Sequence, residues 1–460
     1  MHFLDAVSSL PPHTMFCLLG ALAIAFAFEF INGFHDTANA VTTVIYTRSL
    51  KPTPAVLYSG LMNFLGVLLG GTAIAFGIVN LLPVDLLLER SSNAALVMVL
   101  SLLVSGVIWN LGTWWMGLPV SSSHTLIGSI LGVGLANSLM EGQGLSGVNW
   151  HKAGEVGAAL LLSPVLGFLL AAVGLWFLKR LVPDPELYQP PVHGKTPPSW
   201  IRTTLILTCG GVSYAHGSND GQKGMGLVLL VLIGFMPFAY ALNTEDPTLA
   251  ERTLKAAVDI EDEYKNLGQQ LTASQTEDIQ TIRALLTGIR SFSELPQDER
   301  WKTRLAIFRL EKQTADYLRA NEELHGLLYP PVCCLSKAVE YVPLWVVVCT
   351  ALALGIGTTV GYQRIVVTVA EKIGKTHLTY AQGAVAELVA AGTILLAAFA
   401  GAPVSTTHVL SSGVAGTMVA NGSGVQGGTL RKIGLAWVFT LPASMVMAGL
   451  LFILGRAFFL

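Results

Sequence analysis

Two short polar stretches interrupt long apolar runs, and the first contains residue types that bind cations or protons. It reads HDTANA from His35 and places Asp36 and Asn39 three residues apart. On a helix this spacing puts a carboxylate and an amide oxygen on one face, which suits a hard cation or a proton. An acid inside a membrane costs roughly 2.5–3.5 kcal/mol, so we interpret Asp36 as functional rather than as an interfacial helix cap. The preceding Asn32-Gly33 pair predicts an interruption of the helix.

The second stretch, NDGQKG from Asn219, repeats the acid with different neighbours. Asp220 takes the position of Asp36, Asn219 that of His35, and Lys223 that of Asn39. A tethered ammonium three residues after the acid could fill the place of a mobile cation. We therefore hypothesise one exchangeable ion site in the first stretch and a built-in charge in the second. The alternative is a lysine that only extends its ammonium to the membrane surface.

A different pair of motifs has the features of an anion site. LPVSSSHTLIG begins at Leu118 and APVSTTHVLSS at Ala402, so a proline, three hydroxyl residues and a histidine recur without a gap. Proline is tolerated at a first helical turn, and serine or threonine caps a helix start. Unpaired N–H groups at a helix start attract anions, so two such starts could enclose a tetrahedral oxyanion without an arginine. The alternative is ordinary capping without a ligand.

Several further titratable residues adjoin these motifs or lie in apolar runs. A histidine titrates near physiological pH and could carry a coupling proton, although a structural hydrogen bond is the commoner role. Glu387 lies in an apolar run and is a further candidate for ion handling, and Glu29 lies in another. The secondary histidine candidates are His35, His124, His216 and His408.

These motifs must be positioned by membrane helices. The chain has 460 residues, of which 52% are hydrophobic and 12% charged, whereas soluble domains carry roughly 25% charged residues. The runs 56–80, 94–118, 156–178, 344–362 and 433–454 each reach the ~20 residues that span a bilayer. We predict an all-α polytopic membrane protein in contact with lipid. A net charge of −2 gives no reason to expect nucleic acid, and the five cysteines lack metal-ligand spacing, so no bound cofactor is expected.

The order of the motifs indicates an internal repeat. Each half carries an acidic signature followed by a hydroxyl-rich one, with 88 residues from Asp36 to His124 and 188 from Asp220 to His408. The excess corresponds to 243–340, which holds 17 of the 29 acidic residues. Such repeats in transporters often have inverted topology around a site at mid-membrane. We predict a first membrane repeat at 1–182, a proline-rich linker at 183–200, a second repeat at 201–242 and 341–460, and a soluble helical insertion at 243–340.

The four motifs together resemble the duplicated signatures of the PiT inorganic phosphate transporters, over about 360 residues in both halves. The resemblance implies inverted repeats with re-entrant helical hairpins, a transport domain moving against a scaffold, and a homodimer. It is strongest to bacterial low-affinity, proton-coupled permeases, which implies a multi-pass protein of the bacterial inner (plasma) membrane. It also implies import of inorganic phosphate with a cation, either as the free anion or as a neutral complex with a divalent metal.

Residue roles follow from the resemblance by position, with Thr125 added as the next hydroxyl of its motif. By position the resemblance implies cation or proton binding by Asp36, Asn39, Asn219 and Asp220, and the arguments above from the residues themselves add Lys223 and Glu387. The expected phosphate residues are Ser121, Ser122, Ser123, Thr125, Ser405, Thr406 and Thr407. The run DGQKG departs from the sodium-type pattern, which favours protons over sodium as the coupling ion.

Other functions remain as alternatives. One alternative is sodium as the coupling ion, and another is a different tetrahedral oxyanion, such as sulfate, as the substrate. An intramembrane hydrolase using Ser122 and His124 is disfavoured because residues two apart on one helix do not reach nucleophile–base geometry. A channel is disfavoured because broken helices around a central site are typical of carriers. We therefore predict a transporter and not an enzyme.

Overall fold

A computed structural model describes residues 3–8, 10–79, 81, 92–145, 148–191, 196–402 and 404–459. This part of the chain is helical and contains no strand beyond an isolated bridge between Gly374 and Val425. The helices are α1 (Phe3–Ser8), α2 (Pro12–Tyr46), α3 (Pro52–Leu69), α4 (Ala73–Val79), α5 (Ser92–Trp115), α6 (Ser122–Met140), α7 (Trp150–Leu181), α8 (Ser199–Phe235), α9 (Pro237–Tyr240), α10 (Leu249–Asn266), α11 (Ala273–Leu286), α12 (Gln297–Ala320), α13 (His325–Val339), α14 (Leu344–Gly357), α15 (Gln363–Val367), α16 (Tyr380–Phe399), α17 (Thr406–Asn421) and α18 (Gly427–Phe459).

Six of these helices are long and apolar enough to cross a membrane. They are α2, α3, α5, α7, α16 and α18, and α13 with α14 makes a seventh if the two form one broken span. Large apolar side chains on α7 face outwards, such as Leu161 and Val173. Lipid is the solvent that such a surface requires. The prediction of an all-helical protein with several membrane spans is confirmed.

The long helix α2 corrects one expectation from the sequence. It runs without a break through Asn32-Gly33, where we predicted an interruption. The glycine serves close packing, because a Cβ at Gly33 would lie 2.6 Å from the backbone nitrogen of Thr358. Small residues of this kind let membrane helices approach closely. As a result Asp36 lies in the middle of a continuous helix.

The predicted run 56–80 is interrupted instead. Helix α3 ends at Leu69 and α4 starts at Ala73, with Gly70 and Gly71 between them. Gly71 has φ +85°, a left-handed conformation that glycine adopts without steric cost. Two glycines in one apolar run thus end one helix and begin another, whereas the Asn-Gly pair of α2 does not.

Helices α6 and α17 follow the two hydroxyl-rich motifs and are buried on nearly every face. Each packs on a long helix from the other half of the chain, α6 on α18 and α17 on α7. Glycines form both contacts, since a Cβ at Gly132 would strike the Met445 carbonyl and one at Gly416 the Phe168 carbonyl. Helix α6 therefore packs on the long helix that follows α17, and α17 packs on the long helix that follows α6.

The chain divides into two compact units, one comprising Leu19–Val231 with Pro343–Leu460 and the other Met1–Leu18 with Leu232–Val342. The second unit contains the segment 243–340. Its helices α10 to α13 bury a core of their own, which includes Ile260, Ile282 and Phe292. Helix α12 begins directly after Pro296.

A buried arginine joins the two ends of this segment. Arg304 of α12 donates through Nη1 to the carbonyl oxygens of Ala241 at 2.7 Å and Val339 at 2.8 Å. The Asn243 N–H donates to the Ala338 carbonyl at 2.9 Å close by. These bonds hold the beginning and the end of the segment 243–340 next to each other.

Candidate functional site

The two hydroxyl-rich motifs form matching helix starts. Ser121 precedes α6 and accepts from the His124 N–H at 3.2 Å, and Ser405 precedes α17 and accepts from the His408 N–H at 3.2 Å. Both serines have extended backbone and are buried. A serine in this position satisfies one of the four N–H groups that every helix start leaves unpaired. Pro119 lies two residues before the cap rather than in the first turn, which corrects our expectation, and Pro403 lies outside the described residues.

The two starts meet through their histidines. The imidazole rings of His124 and His408 have centroids 4.7 Å apart, and His408 stacks on Trp437 of α18 at 4.0 Å. The Trp437 indole N–H donates to the Pro119 carbonyl at 3.0 Å. The positive ends of two helix dipoles are thus brought to one place, as an anion site of the predicted kind requires.

Lys223 of α8 connects both starts to an acid. Its Nζ forms an ion pair with Asp220 one turn before it on the same helix. It also donates to Ser123 Oγ at 2.6 Å and to the Val404 carbonyl at 2.8 Å. These three acceptors use all three ammonium protons. Lys223 is 3% exposed, so the alternative of a lysine reaching the surface is wrong.

The hydroxyl of Thr406 lies between the two repeated acids. Its Oγ1 is 2.9 Å from Asp220 Oδ2 and 3.3 Å from Asp36 Oδ1. A hydroxyl has one proton and can donate to only one carboxylate at a time. Since the shorter contact takes that proton to Asp220, the contact with Asp36 is a hydrogen bond only when Asp36 itself carries a proton. In that state Asp36 donates to the Thr406 hydroxyl, and Thr406 donates to Asp220.

Polar atoms next to this chain of hydrogen bonds lack partners within the described part of the molecule. They are Oδ2 of Asp36, both amide atoms of Asn219 and both ring nitrogens of His216. All three side chains are at most 1% exposed. Buried polar groups are normally hydrogen-bonded, and exceptions in a native fold mark places where water, an ion or a substrate binds.

The structure therefore brings together residues from all four motifs. In direct contact are Asp36 of the first stretch, Asp220 and Lys223 of the second, and Ser123 and Thr406 of the hydroxyl-rich pair. The backbone of Asn39 lies in α2, and its side chain lies outside the described residues. Ser121 and Ser405 act as caps at the edge of this cluster, so they position the site through the backbone.

Other predicted residues have different surroundings. Glu387 on α16 accepts from the Thr208 hydroxyl at 2.6 Å. His35 contacts the Asn110 carbonyl at 3.1 Å, and the Thr125 hydroxyl donates to the Ser121 carbonyl at 3.2 Å. Ser122 is partly exposed, and Thr407 is buried beside the cap. Glu387 is accordingly a separate buried acid, whose role in ion handling stays a prediction.

Two polar residues near the cluster were not among the predicted site residues. Asn63 of α3 donates through its amide to the Thr358 hydroxyl at 3.2 Å. Glu29 of α2 is fully buried and interacts electrostatically with Asp220 and Lys223. Both interrupt apolar runs, which is the signal that identified Asp36. Without a second copy in the repeat, however, neither could be distinguished from a structural polar residue.

A resident metal ion has no visible set of ligands. Among the described residues, no three His, Cys, Asp or Glu side chains come together as a metal site. The cluster around Thr406 consists of a lysine, two acids and hydroxyls.

A match to known proteins covers almost the whole chain. Residues 32–448 match the family described as "Phosphate transporter family". The chain belongs to this family. The match includes all four motifs, and membership in the family confirms the prediction of a transporter rather than an enzyme.

Similar members of the family come from several bacteria. The "Low-affinity inorganic phosphate transporter PitA" of Escherichia coli K12 is 42% identical over 99% of this chain and 100% of the relative. PitB of the same strain is 40% identical, covering 95% of this chain and 96% of the relative. A "Probable low-affinity inorganic phosphate transporter" of Bacillus subtilis is 29% identical, covering 94% and 96%.

One solved structure shares the fold. It carries the description "The sodium-dependent phosphate transporter" and superposes with a TM-score of 0.61. The match covers 96% of this chain and 99% of the other, at 20% sequence identity. At that identity the likeness concerns the fold of the family and does not extend to the coupling ion.

Proposed function

We propose that this protein is a symporter that imports inorganic phosphate together with protons. The observation that carries the proposal is the hydrogen-bonded series Asp36–Thr406–Asp220, with Lys223 paired to the second acid. Names of the relatives support phosphate as the substrate, since PitA and PitB are called inorganic phosphate transporters.

The cation side of the mechanism follows from the different partners of the two acids. Asp220 has a donor on each oxygen, from Lys223 and Thr406, and is stable as a carboxylate. Asp36 has no cation of its own, and Oδ2 has no partner among the described residues. A buried carboxylate in this position is costly unless it takes a proton or a cation. Lys223 thus replaces a mobile ion at one acid, and the transported proton binds the other.

The anion side uses the helix starts and the same lysine. Lys223 holds Ser123 of the first motif and the Val404 carbonyl of the second, so its charge lies where the two starts meet. Phosphate oxygens would accept from this ammonium, from Thr406 and from free N–H groups. Hydrogen phosphate also has an O–H that can donate to an acid, whereas sulfate has none. Competition by a large excess of sulfate therefore should not reduce phosphate uptake.

Proton and phosphate binding reinforce each other in this arrangement. An anion close to an ionised Asp36 is repelled, and protonation of the acid removes the repulsion. Linkage requires the converse, that bound phosphate raises the affinity for the proton. Inorganic phosphate and the proton are then carried together, and neither has a favourable route alone.

The finer architecture belongs to the same proposal. We infer two inverted repeats whose hydroxyl-rich motifs form re-entrant hairpins, in a transport domain that moves against a scaffold. The exchanged packing of α6 on α18 and α17 on α7 supports this, as an arrangement related by an approximate twofold axis. We further propose that 243–340 is a soluble insertion and that the protein is a homodimer in the bacterial inner membrane.

The test is radiolabelled phosphate uptake into proteoliposomes with proton and sodium gradients imposed separately. We expect an inward proton gradient to drive accumulation and a sodium gradient to have no effect. Asp36→Asn should still exchange phosphate across the membrane but no longer accumulate it in response to a proton gradient. Asp259→Asn, an exposed aspartate in α10, is the matched control.

Two results would contradict the proposal. Accumulation driven by sodium at equal pH would make the partnerless oxygens of Asp36 and Asn219 a sodium site instead. Proton-driven accumulation in Asp36→Asn equal to that of the wild type would remove Asp36 from coupling. Repeating uptake with magnesium and with a chelator decides whether the substrate is free phosphate or its neutral metal complex.

A further inference from the structure

A third acid lies next to the cluster that binds the proposed proton. Glu29 is one turn before Asn32 and two turns before Asp36 on α2, so the three form a polar stripe along one helix face. Its carboxyl lies against the backbone of Gly224, where any Cβ would overlap it. Gly224 directly follows Lys223 in α8, and its lack of a side chain makes the space that the carboxyl occupies.

The environment of Glu29 differs from that of both aspartates. The residue is fully buried, and neither carboxylate oxygen has a hydrogen bond of ordinary geometry within the described residues. Asn32 of the same helix interacts with it, and the charged groups that face it are Asp220 and Lys223 of α8 and Asp36 of α2. Burial strongly disfavours an ionised carboxylate that has so few donors around it.

The charges of the cluster show what that cost implies. Lys223 and Asp220 neutralise each other, so Glu29 and Asp36 share the field of Lys223 but have no counter-ion of their own among the described residues. With a proton on each, the cluster is neutral and can accept an anion. With both ionised it has two uncompensated negative charges, which would repel phosphate from the adjacent helix starts.

We propose that Glu29 is a second proton-binding residue of the transport cycle, so that one phosphate moves with two protons, one on Asp36 and one on Glu29. The inference rests on the proposed function, because it adds a coupling site to that transporter. The proton on Glu29 leaves when the cluster opens to water on the far side of the membrane and the phosphate is released. Glu29 is thereby a coupling residue that touches none of the phosphate-binding hydroxyls.

The decisive measurement is the number of protons carried per phosphate. In proteoliposomes held at zero membrane potential, the phosphate ratio at which net flux stops is recorded at several pH differences. The slope of its logarithm against the pH difference counts the coupled protons, after correction for phosphate ionisation. We expect Glu29→Gln, which mimics the protonated acid, to exchange phosphate normally and to lower that slope by about one.

Glu141→Gln is the matched control, since Glu141 is an acid of the same compact unit that pairs with Arg456 at 3.4 Å near the ends of their helices. Its slope should equal that of the wild type. An unchanged slope in Glu29→Gln would overturn the inference and leave proton-coupled transport intact. A wild-type protein with no phosphate flux, or a slope of zero, would instead reject the proposed function itself.

A second measurement does not depend on the glutamine variant reaching the membrane. A protonated carboxyl has an infrared C=O stretch that a carboxylate lacks, and aspartate absorbs at a different frequency from glutamate. At neutral pH, Glu29→Asp should shift one such band of the purified protein. If no band of the protonated type moves, Glu29 is ionised at neutral pH and the inference is wrong.

Discussion

Lys223 of α8 and Arg304 of the helical segment 243–340 are both buried cations, and they are held by different acceptors. Arg304 donates to two backbone carbonyls, Ala241 and Val339, which cannot change charge. Lys223 donates to a carboxylate, a hydroxyl and one carbonyl. A cation bound only by the backbone stabilises a fixed junction. A cation that shares its acceptors with acids and hydroxyls can release one of them to a substrate.

The largest expected effect comes from removing the functional cation. Lys223→Met should abolish phosphate accumulation, because Asp220 loses its counter-ion at a cost of about 3–5 kcal/mol and the anion site loses its charge. Asp220→Asn should abolish it too, since Lys223 is then unpaired. The double variant restores neutrality, so we expect it to recover thermal stability without recovering transport. Thermal unfolding in detergent and proteoliposome uptake provide the two readouts.

That comparison fails if Lys223→Met accumulates phosphate at the wild-type rate. It also fails if the double variant is less stable than both single variants, because the lysine would then stabilise the fold independently of Asp220.

The structural cation should show the opposite behaviour. Arg304→Met leaves two buried carbonyls without a donor, which costs about 3 kcal/mol. We expect faster amide hydrogen exchange at the ends of α13, with phosphate transport per folded molecule retained. Arg304→Lys, which can reach one carbonyl, should give an intermediate rate. Equal exchange in all three proteins would remove Arg304 from its assigned role.

A buried acid in the same helix, Glu311, should make the stability of segment 243–340 depend on pH. Burial raises the pKa of Glu311 in α12 from 4.5 to about 7. The folded state then holds more protons than the unfolded state between these values, so stability falls as pH rises through this window, by at most about 3 kcal/mol. Amide exchange of α12 in the intact protein should therefore show less protection at about pH 8 than at about pH 5. Glu311→Gln should remove the dependence, and a wild-type profile flat in pH would contradict the prediction.

A smaller effect separates two hydroxyls of the phosphate motifs. Thr406→Ala removes the group between both acids and should raise the KM for phosphate about tenfold or more. Ser122→Ala should have a smaller effect, because Ser122 is partly exposed and outside the contacts of Lys223 and Thr406. The double variant should weaken binding more than either change alone. If Ser122→Ala raised the KM for phosphate more than Thr406→Ala, phosphate would bind to different hydroxyls of the helix starts than we propose.

The smallest expected effect concerns the two caps. Ser121→Ala and Ser405→Ala each lose one capping bond of the same 3.2 Å length, so each should lower stability by about 1 kcal/mol. Threonine at either position should restore most of it. Thermal unfolding of the four variants measures this, and a large difference between the two alanine variants would show that the starts are not equivalent.

Much of the site could be predicted from the sequence because each of its two motifs occurs twice in the chain. The recurrence of an acid, and of a proline followed by hydroxyls, identified Asp36, Asp220, Lys223 and the two hydroxyl-rich motifs, which the fold brings together. Several long helices coincide with predicted apolar runs, but the run 56–80 breaks at Gly70 and Gly71, which apolar length did not predict. No matching glutamate marks Glu29 in the second half of the chain. Its proposed role depends on the space left by Gly224, a tertiary contact that the local sequence does not predict.

Other features depended on contacts between distant segments. The glycine of α2 and the glycines after α3 look alike in sequence, but one packs against Thr358 and Gly71 adopts a left-handed turn. Which hydroxyl of the first motif meets Lys223 depends on the rotation of α6 against α8. A shift of one residue along a helix turns a side chain by about 100°. Sequence spacing alone therefore could not choose Ser123 over Ser122.

The exchanged packing of the hydroxyl-rich helices also bears on how the protein is made. Helix α6 packs on α18, which is synthesised much later, so during translation α6 has its contacts with α5 but lacks this larger packing surface. Contacts between such distant segments close late and slowly. A chain that terminates before α18 leaves α6 without this packing surface, and we expect cellular quality control to remove it.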